Sequence, residues 1–196
     1  MTANRYFVMR HGESIANRKH IIVSHKSNAL YDYGLTALGA EQVMQSATHT
    51  RLKQGTLIFS SDFLRAKETA EIIHGIICAE SNLILDKRLR ERNFGDLELE
   101  HTNEYENVWR KDELSANQQE KHIESVTSVL DRSLELVNEI EQSVSGKDVL
   151  LVGHGDVLQI LITFYQGFEP KFHRSIAHIK NAEIRVLSGL QSLRSA

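Results

Sequence analysis

The hydrophobic and polar positions of the chain follow two kinds of pattern. Short apolar runs that end in a glycine or a polar turn predict β-strands, and longer segments with an apolar residue every three or four positions predict amphipathic helices. Strands are predicted at residues 6–9, 57–59, 83–85, 149–152 and 184–187. Because the run at 149–152 is apolar at every position, we expect it in the middle of a parallel sheet, where both faces of a strand are buried.

The helical pattern occupies most of the chain between these strands. Helices are predicted at about residues 36–53, from about residue 62 to 77, at about 125–143 and at 156–165. Ser60, Ser61 and Asp62 are candidate N-caps of the second of these helices. A long loop is expected before residue 34, and the polar stretch at 98–119 predicts irregular structure. Strands that alternate with helices indicate an α/β fold.

Composition narrows the class of protein. At 196 residues with 41% hydrophobic content, the chain can bury one sizeable core as a single domain. A formal net charge of −3 argues against a nucleic-acid binder. No apolar stretch suggests a signal peptide or reaches membrane-spanning length, so neither is expected. The single cysteine, Cys78, excludes an intramolecular disulfide and favours the cytoplasm; we expect it to be buried on its helix.

Histidines follow two of the predicted strands. Arg10 and His11 come directly after the run at 6–9, and His154 stands between two glycines after the run at 149–152. Ligands of open α/β sheets bind at the carboxyl ends of the strands, so we expect both histidines at that edge. A histidine beside an arginine offers a nucleophile or proton carrier next to an anion anchor. The alternative is a hydrogen-bonded structural histidine.

Two more charged residues stand at informative positions. Arg65 falls near the first turn of the predicted second helix, where its guanidinium and free backbone N–H groups can face one anion. Glu91 lies in a loop-like stretch rich in arginine, and its carboxyl can act as a general acid if local burial or the charge of a substrate keeps it protonated near neutral pH. Taken alone, Arg65 is equally compatible with a solvated helix arginine, and Glu91 is better interpreted as a surface carboxylate paired with neighbouring arginines.

Four motifs resemble the histidine phosphatase superfamily, which includes the cofactor-dependent phosphoglycerate mutases and many small phosphatases. They are Arg-His-Gly-Glu-Ser at 10–14, Ser-Ser-x-x-x-Arg-Ala at 60–66, Leu-x-Glu-Arg-x-Phe-Gly at 89–95 and Val-Gly-His-Gly at 152–155. The motifs occur in the family order. The resemblance implies one domain over residues 1–196: a three-layer α/β/α fold with a mostly parallel central sheet and helices on both faces. A helical or irregular insertion at about 98–145 would cover the active site.

The resemblance also implies a role for each candidate residue. His11 would be the nucleophile, Glu91 the general acid, and Arg10, Arg65 and His154 the groups that hold the phosphoryl oxygens. Further candidates for binding phosphate are Asn17, Ser14, Gly155 and Ser24. No His-Glu-x-x-His or similar spacing is present, so neither a metal nor another cofactor is expected. The expected partner is a small phosphorylated substrate.

The acceptor of the phosphoryl group distinguishes two activities. Mutases of this family carry a lysine where Thr102 stands here, and Trp109-Arg110-Lys111 resembles their Trp-Arg-Arg but lies closer to Glu91. Leu99 replaces the glycine that is usual in the family. Glu124-Ser125 and the following Arg132 resemble phosphatase members.

The sequence therefore predicts a phosphatase that acts on a small phosphorylated metabolite. One alternative is a phosphoglycerate mutase, which would need 2,3-bisphosphoglycerate as cofactor. The other is a non-catalytic protein that binds a phosphorylated ligand.

Overall fold

The computed structural model describes residues 3–188, and its centre is a five-stranded sheet. The strands are β1 (Arg5–Arg10), β2 (Leu57–Ser60), β3 (Ile84–Leu85), β4 (Asp148–Gly153) and β5 (Ile184–Leu187). Their order is β3-β2-β4-β1-β5; β5 runs antiparallel to β1, and the other neighbours are parallel. The predicted strands are confirmed to within one residue at either end.

Seven α-helices surround the sheet in the described part of the chain. They are α1 (Ile15–Lys19), α2 (Lys26–Ala29), α3 (Ala37–His49), α4 (Leu64–Ile76), α5 (Glu104–Leu114), α6 (Val126–Ser143) and α7 (Gly155–Gln166). Short 3-10 helices occupy Lys87–Leu89, Gly95–Leu97, Glu120–His122 and Pro170–Phe172. None of the helices within residues 3–188 is both long and apolar enough to cross a bilayer.

Alternate residues of β4 pack into two different cores, one on each face of the sheet. Val149 and Leu151 pack with α6 and α7, and Leu150 and Val152 pack with α3 and α4. Successive side chains of a strand point to opposite faces, so one fully apolar strand supplies both cores. The predicted three-layer arrangement with helices on both faces is confirmed.

Two predictions for the segments outside the sheet were wrong. The segment before residue 34 contains α1 and α2, and the segment at 98–119 contains α5. Helix α5 is polar overall, and its buried face carries the charged Asp112 beside Val108. A charged residue on the buried face hides the apolar stripe that normally identifies a surface helix. The division into one domain with an insertion at about 98–145 stays a prediction.

Two smaller predictions around α4 were also wrong. The N-cap is Phe63, which makes no side-chain capping bond. Ser61 Oγ instead accepts the backbone N–H of Phe63 (3.2 Å), and the Asp62 carboxylate binds Arg90. Cys78 is exposed, because α4 ends at Ile76 and Cys78 itself lies beyond the helix with a positive φ of 50°.

Candidate active site

His11 is the first residue beyond β1 and is buried. Its Nδ1 lies 2.7 Å from the carbonyl oxygen of Gly12, and its Nε2 lies 3.1 Å from Arg65 Nε. A carbonyl oxygen only accepts and a guanidinium only donates. His11 is therefore a neutral imidazole with its proton on Nδ1 and a lone pair on Nε2.

The electrostatic surroundings of His11 favour the same neutral form. Burial, and then the positive charges of Arg65 and Arg10, hold the pKa of His11 well below its usual range. The imidazole therefore stays unprotonated at neutral pH. A nucleophile needs this state, since a protonated ring has no free lone pair.

The turn that carries His11 is fixed by close packing against α3. A Cβ on Gly39 would lie 2.0 Å from the carbonyl oxygen of Glu13, so the backbones approach closely there. Thr36, the N-cap of α3, donates its amide to the same carbonyl (2.9 Å) and its hydroxyl to the Glu13 carboxylate (2.7 Å). The start of α3 thus holds the turn that carries His11 in place.

His154 follows β4 and meets His11 edge to face, with ring centroids 5.2 Å apart. Its Nε2 lies 2.9 Å from Ser61 Oγ. Because Ser61 Oγ already accepts the amide of Phe63, its own proton is available for His154 Nε2. When Ser61 donates this proton, the imidazole proton of His154 lies on Nδ1. Burial, followed by the charge of Arg65, lowers the pKa of His154 well below its usual range.

Three buried nitrogens around His11 have no hydrogen-bond partner among the described residues: Arg10 Nε, Arg65 Nη1 and His154 Nδ1. The other nitrogens of the arginines hold the side chains in place: Arg65 Nη2 donates to Val23 (2.9 Å), and Arg10 Nη1 to Ile179 (3.0 Å). A buried donor without an acceptor costs about 1–3 kcal/mol. An oxyanion in front of His11 would supply acceptors for these donors.

Gly155 completes this cluster at the first residue of α7. A Cβ on Gly155 would lie 3.5 Å from Arg10 Nε, an ordinary contact distance, so the guanidinium lies directly beside the start of α7. The free N–H groups at a helix N-terminus favour an anion. The helix end and Arg10 therefore present donors to the same region.

Glu91 lines a cavity of about 230 Å³ that also contacts two members of the cluster, Arg10 and Gly155, and we call it the phosphate cavity. Its walls include Arg10, Asn17, Glu91, Gly155 and Thr102. Burial, and then the negative charge of Asp156, raise the pKa of Glu91 to about 7, although Arg65 and Arg10 act in the opposite direction. A carboxyl group that titrates near neutral pH can donate a proton and take one back, as general acid–base catalysis requires.

The three polar residues predicted beside this core have different roles in the structure. Asn17 Oδ1 accepts the amide and hydroxyl of Ser14 (3.0 and 2.9 Å), which leaves the Asn17 amino group as the donor on the cavity wall. Ser14 is the N-cap of α1. Ser24 Oγ donates to Glu98 (2.8 Å) and accepts the amide of Phe94 (3.0 Å). The hydroxyls of Ser14 and Ser24 are thus engaged in positioning the backbone.

A chain of hydrogen bonds that the sequence did not reveal positions Arg10. Arg10 Nη1 donates to His178 Nε2 (2.9 Å), and His178 Nδ1 lies 3.0 Å from Gln159 Oε1. Burial, followed by the charge of Arg10, lowers the pKa of His178 to about 4, so it is a neutral acceptor. His178 and Gln159 lack a local signal in the sequence, because the fold alone brings them to Arg10.

Sequence reasoning also missed the contacts that hold α5 against the site. Trp109 Nε1 donates to both carboxylate oxygens of Asp156 (3.1 Å each), and the Arg174 guanidinium lies 3.7 Å from the Trp109 ring centroid. Arg92 and Asp112 form a fully buried pair with two bonds of 2.6 and 2.8 Å. These pairs fix one wall of the phosphate cavity.

Within residues 3–188, no group of three or more His, Cys, Asp or Glu side chains is arranged to hold a metal ion. The polar atoms that lack partners near His11 are mostly N–H donors on positively charged or neutral groups. Such atoms attract an anion and repel a cation. The arrangement can bind an oxyanion, offer it a nucleophilic nitrogen and supply an acid.

Comparisons with known proteins agree with this geometry. Probable phosphoglycerate mutase GpmB of Escherichia coli O139:H28 is 33% identical over 193 residues, which cover 95% of this chain and 86% of that protein. The solved mycobacterial glucosyl-3-phosphoglycerate phosphatase, in complex with VO3, has a TM-score of 0.80 and 26% identity, covering 94% of this chain and 92% of that one. The family model for the histidine phosphatase superfamily (branch 1) matches residues 6–192. The chain belongs to the histidine phosphatase superfamily.

Proposed function

We propose that the protein is a phosphomonoester hydrolase that acts through a phosphohistidine on His11. The observation that carries this proposal is the neutral His11 Nε2, oriented by Arg65 and surrounded by three buried nitrogens that have no hydrogen-bond partner in the described part of the chain. A phosphoryl group at this position would meet the nucleophile and the donors together. Donors arranged in advance stabilise the negative charge that spreads over the phosphoryl oxygens in the transition state.

The residues divide the reaction into two balanced steps. The lone pair of His11 Nε2 attacks phosphorus, the bond from phosphorus to the ester oxygen breaks, and Glu91 gives that oxygen a proton. Glu91 then takes a proton from water, the water oxygen bonds to phosphorus, and the bond between nitrogen and phosphorus breaks. Inorganic phosphate leaves, and His11 and Glu91 return to their starting states.

Water is the acceptor that the walls of the phosphate cavity favour. A mutase must hold substrates that carry a carboxylate as well as phosphate, which requires additional cations. Thr102, at the position of the mutase lysine, lines the phosphate cavity without a charge. Arg110 bonds Asn107 and Lys111 bonds Glu120, so both cations are engaged outside this cavity. The relatives include proteins named for either activity, and these contacts support the phosphatase.

One assay distinguishes the candidates. Free phosphate and the isomerisation of 3-phosphoglycerate are followed in the same reaction, with and without 2,3-bisphosphoglycerate. We expect phosphate release from several phosphomonoesters to exceed isomerisation. Rapid isomerisation that depends on the bisphosphate, with little free phosphate, would instead support the mutase. A complete failure to hydrolyse p-nitrophenyl phosphate would favour a binding protein without catalytic activity.

We also propose that the reaction needs no metal, because the site presents N–H donors where a metal would need lone pairs. Exhaustive treatment with EDTA should leave the rate unchanged, whereas activity lost to EDTA and restored by zinc or magnesium would contradict this. A reducing compartment such as the cytoplasm stays a prediction that rests on the single cysteine.

A further inference from the structure

Glu91 also lines a second and larger cavity, of about 620 Å³, that the proposed mechanism does not use. We call it the basic cleft. Its lining includes Lys26, Phe63, Lys87, Arg90, Glu91 and Arg132, together with the acidic Glu124. Its size falls in the range of sites for small-molecule ligands, about 300–1,000 Å³. The cleft therefore has room for a substrate group beyond the phosphoryl group itself.

The basic cleft adjoins the catalytic cluster through two of its lining residues. The ring centroid of Phe63 is 5.5 Å from that of His154 and 5.6 Å from the Arg90 guanidinium. Glu91 belongs to the walls of both the cleft and the phosphate cavity. A leaving group that takes its proton from Glu91 can therefore extend into the cleft while its phosphoryl group faces His11.

The charge of the basic cleft is unusual for a protein with a net charge of −3. Two of its cations are neutralised: Arg90 by Asp62 (2.7 and 2.5 Å), and Arg132 by Glu124 (2.8 and 3.0 Å). Lys26 and Lys87 form no ion pair with any described residue. They come from different elements, α2 and the turn after β3, yet line the same cleft.

The phosphate cavity offers less room for the same purpose. Its volume is about 230 Å³, and much of its wall is closed by aromatic contacts. Tyr105 stacks on Trp109 with centroids 5.2 Å apart, and Arg174 covers the Trp109 ring at 3.7 Å. Arg174 also lies 3.7 Å from the Asp156 carboxylate, which reduces its attraction for another anion.

We propose that Lys26 and Lys87 bind a second anionic group of the substrate. This inference rests on the proposed function and adds a substrate class to it: phosphomonoesters whose leaving group carries a further phosphate or carboxylate. A lysine ammonium group binds either anion as a point charge. Because both lysines are exposed, their effect is moderate and weakens as salt screens it.

The test compares matched substrates with and without the second anion. Fructose 1,6-bisphosphate is paired with fructose 6-phosphate, and 3-phosphoglycerate with glycerol 3-phosphate. The wild-type protein should have the higher kcat/KM for the first member of at least one pair, and the pair with the larger ratio distinguishes phosphate from carboxylate. In the double variant Lys26→Gln/Lys87→Gln, the ratio of the two kcat/KM values within that pair should fall roughly tenfold at low salt. Hydrolysis of p-nitrophenyl phosphate should stay unchanged.

A double variant at the other edge of the sheet is the matched control. Lys53 and Lys147 are exposed and precede β2 and β4, at the strand ends opposite to His154. Lys53→Gln/Lys147→Gln changes the net charge equally and should keep the preference. An equal loss in this control, or no loss in the cleft variant, would overturn the proposal. The proposal would also be overturned if only Arg174→Gln lost the preference, because the second anion would then bind in the phosphate cavity.

Calorimetry on the His11→Ala variant separates this inference from the proposed function. This variant does not turn over, but in at least one of the two pairs it should still bind the substrate with the second anion more tightly. The pairs are fructose 1,6-bisphosphate with fructose 6-phosphate, and 3-phosphoglycerate with glycerol 3-phosphate. Adding Lys26→Gln/Lys87→Gln should remove this difference in affinity. If p-nitrophenyl phosphate is not hydrolysed but this binding difference exists, the proposed hydrolysis fails and the cleft proposal survives. If p-nitrophenyl phosphate is hydrolysed but neither pair shows a binding difference, the proposed hydrolysis survives and the cleft proposal fails.

Discussion

The strand-end cluster of Arg10, His11 and His154 and the wall at residues 91–124 are positioned in different ways. In the cluster, β1 pairs with β4 so that Arg10 lies opposite Gly153, and the two histidines follow directly. In the wall, the position of α5 depends on polar pairs between distant residues, such as Arg92 with Asp112. Backbone pairing therefore fixes the proposed nucleophile, and individual side-chain contacts fix the surface that the leaving group meets.

This difference separates chemistry from stability and selectivity. Replacing a cluster side chain leaves the sheet hydrogen bonds intact, because they belong to the backbone. Replacing a member of a buried pair in the wall leaves its charged partner without compensation. We expect variants in the cluster to lose rate and keep stability, and variants that break a buried pair in the wall to lose stability.

The largest effect is expected at His11. His11→Ala should lower kcat at least ~10³-fold, since it removes the nucleophile, while the free energy of unfolding changes much less. Steady-state hydrolysis of p-nitrophenyl phosphate and urea denaturation measure the two quantities. Activity near that of the wild type would show that the cluster does not carry the chemistry.

Breaking the buried pair in the wall should show the opposite behaviour. Asp112→Ala removes the nearer carboxylate from the buried Arg92 guanidinium, leaves Asp156 at 3.5 Å, and should cost up to about 3–5 kcal/mol of unfolding free energy. Glu120→Ala, which breaks the exposed pair with Lys111, is the control and should cost less than about 1 kcal/mol. Equal costs in urea denaturation would mean that the buried pair does not hold the wall.

Glu91 belongs to the wall, but in the proposed mechanism it transfers a proton in the reaction. Variants of Glu91 therefore test a wall residue that should affect rate. Glu91→Gln should lower kcat/KM for glycerol 3-phosphate by roughly 10²-fold and affect p-nitrophenyl phosphate much less, because nitrophenolate needs little protonation. Glu91 is protonated below its pKa of about 7, so kcat/KM for the alkyl ester should fall as pH rises through that value. The variant should lack this decline; equal losses on both substrates would point to a structural role.

The smallest effect is expected at Leu99, a wall residue whose backbone φ is positive at 68°. A residue with a Cβ is strained in this conformation by about 1–2 kcal/mol, and glycine is not. Leu99→Gly should therefore raise the free energy of unfolding by up to about 1 kcal/mol after the entropy of the unfolded glycine is counted. Leu99→Ala keeps the strain and serves as the control. A gain in the alanine variant as large as in the glycine variant would refute this explanation.

The sequence predicted the strand-end cluster because its signals are local. An apolar run followed by a glycine turn identifies a strand end, and the placement of Arg10, His11 and His154 follows from the shared edge of a parallel sheet. The same logic predicted both faces of β4. These features need no knowledge of which distant residues meet.

The wall could not be predicted in the same way. Asp112 and Arg92 are 20 positions apart, and each is of a residue type that usually lies on the protein surface. Only the folded chain brings three distant residues to the site: His178, Gln159 and Arg174. Helix α5 was not predicted, because Asp112 interrupts the apolar pattern of its buried face. Polar contacts between distant segments leave no periodic pattern.

In the proposed mechanism, His11 carries the phosphoryl group during turnover. Rapid quenching with an excess of p-nitrophenyl phosphate tests it directly, followed by mapping of bound phosphate by mass spectrometry. We expect a phosphate on His11 that is labile in acid and stable in alkali, as a bond between nitrogen and phosphorus requires, and no such species in His11→Ala. A phosphate that is stable in acid, or that resides on His154 instead, would contradict it.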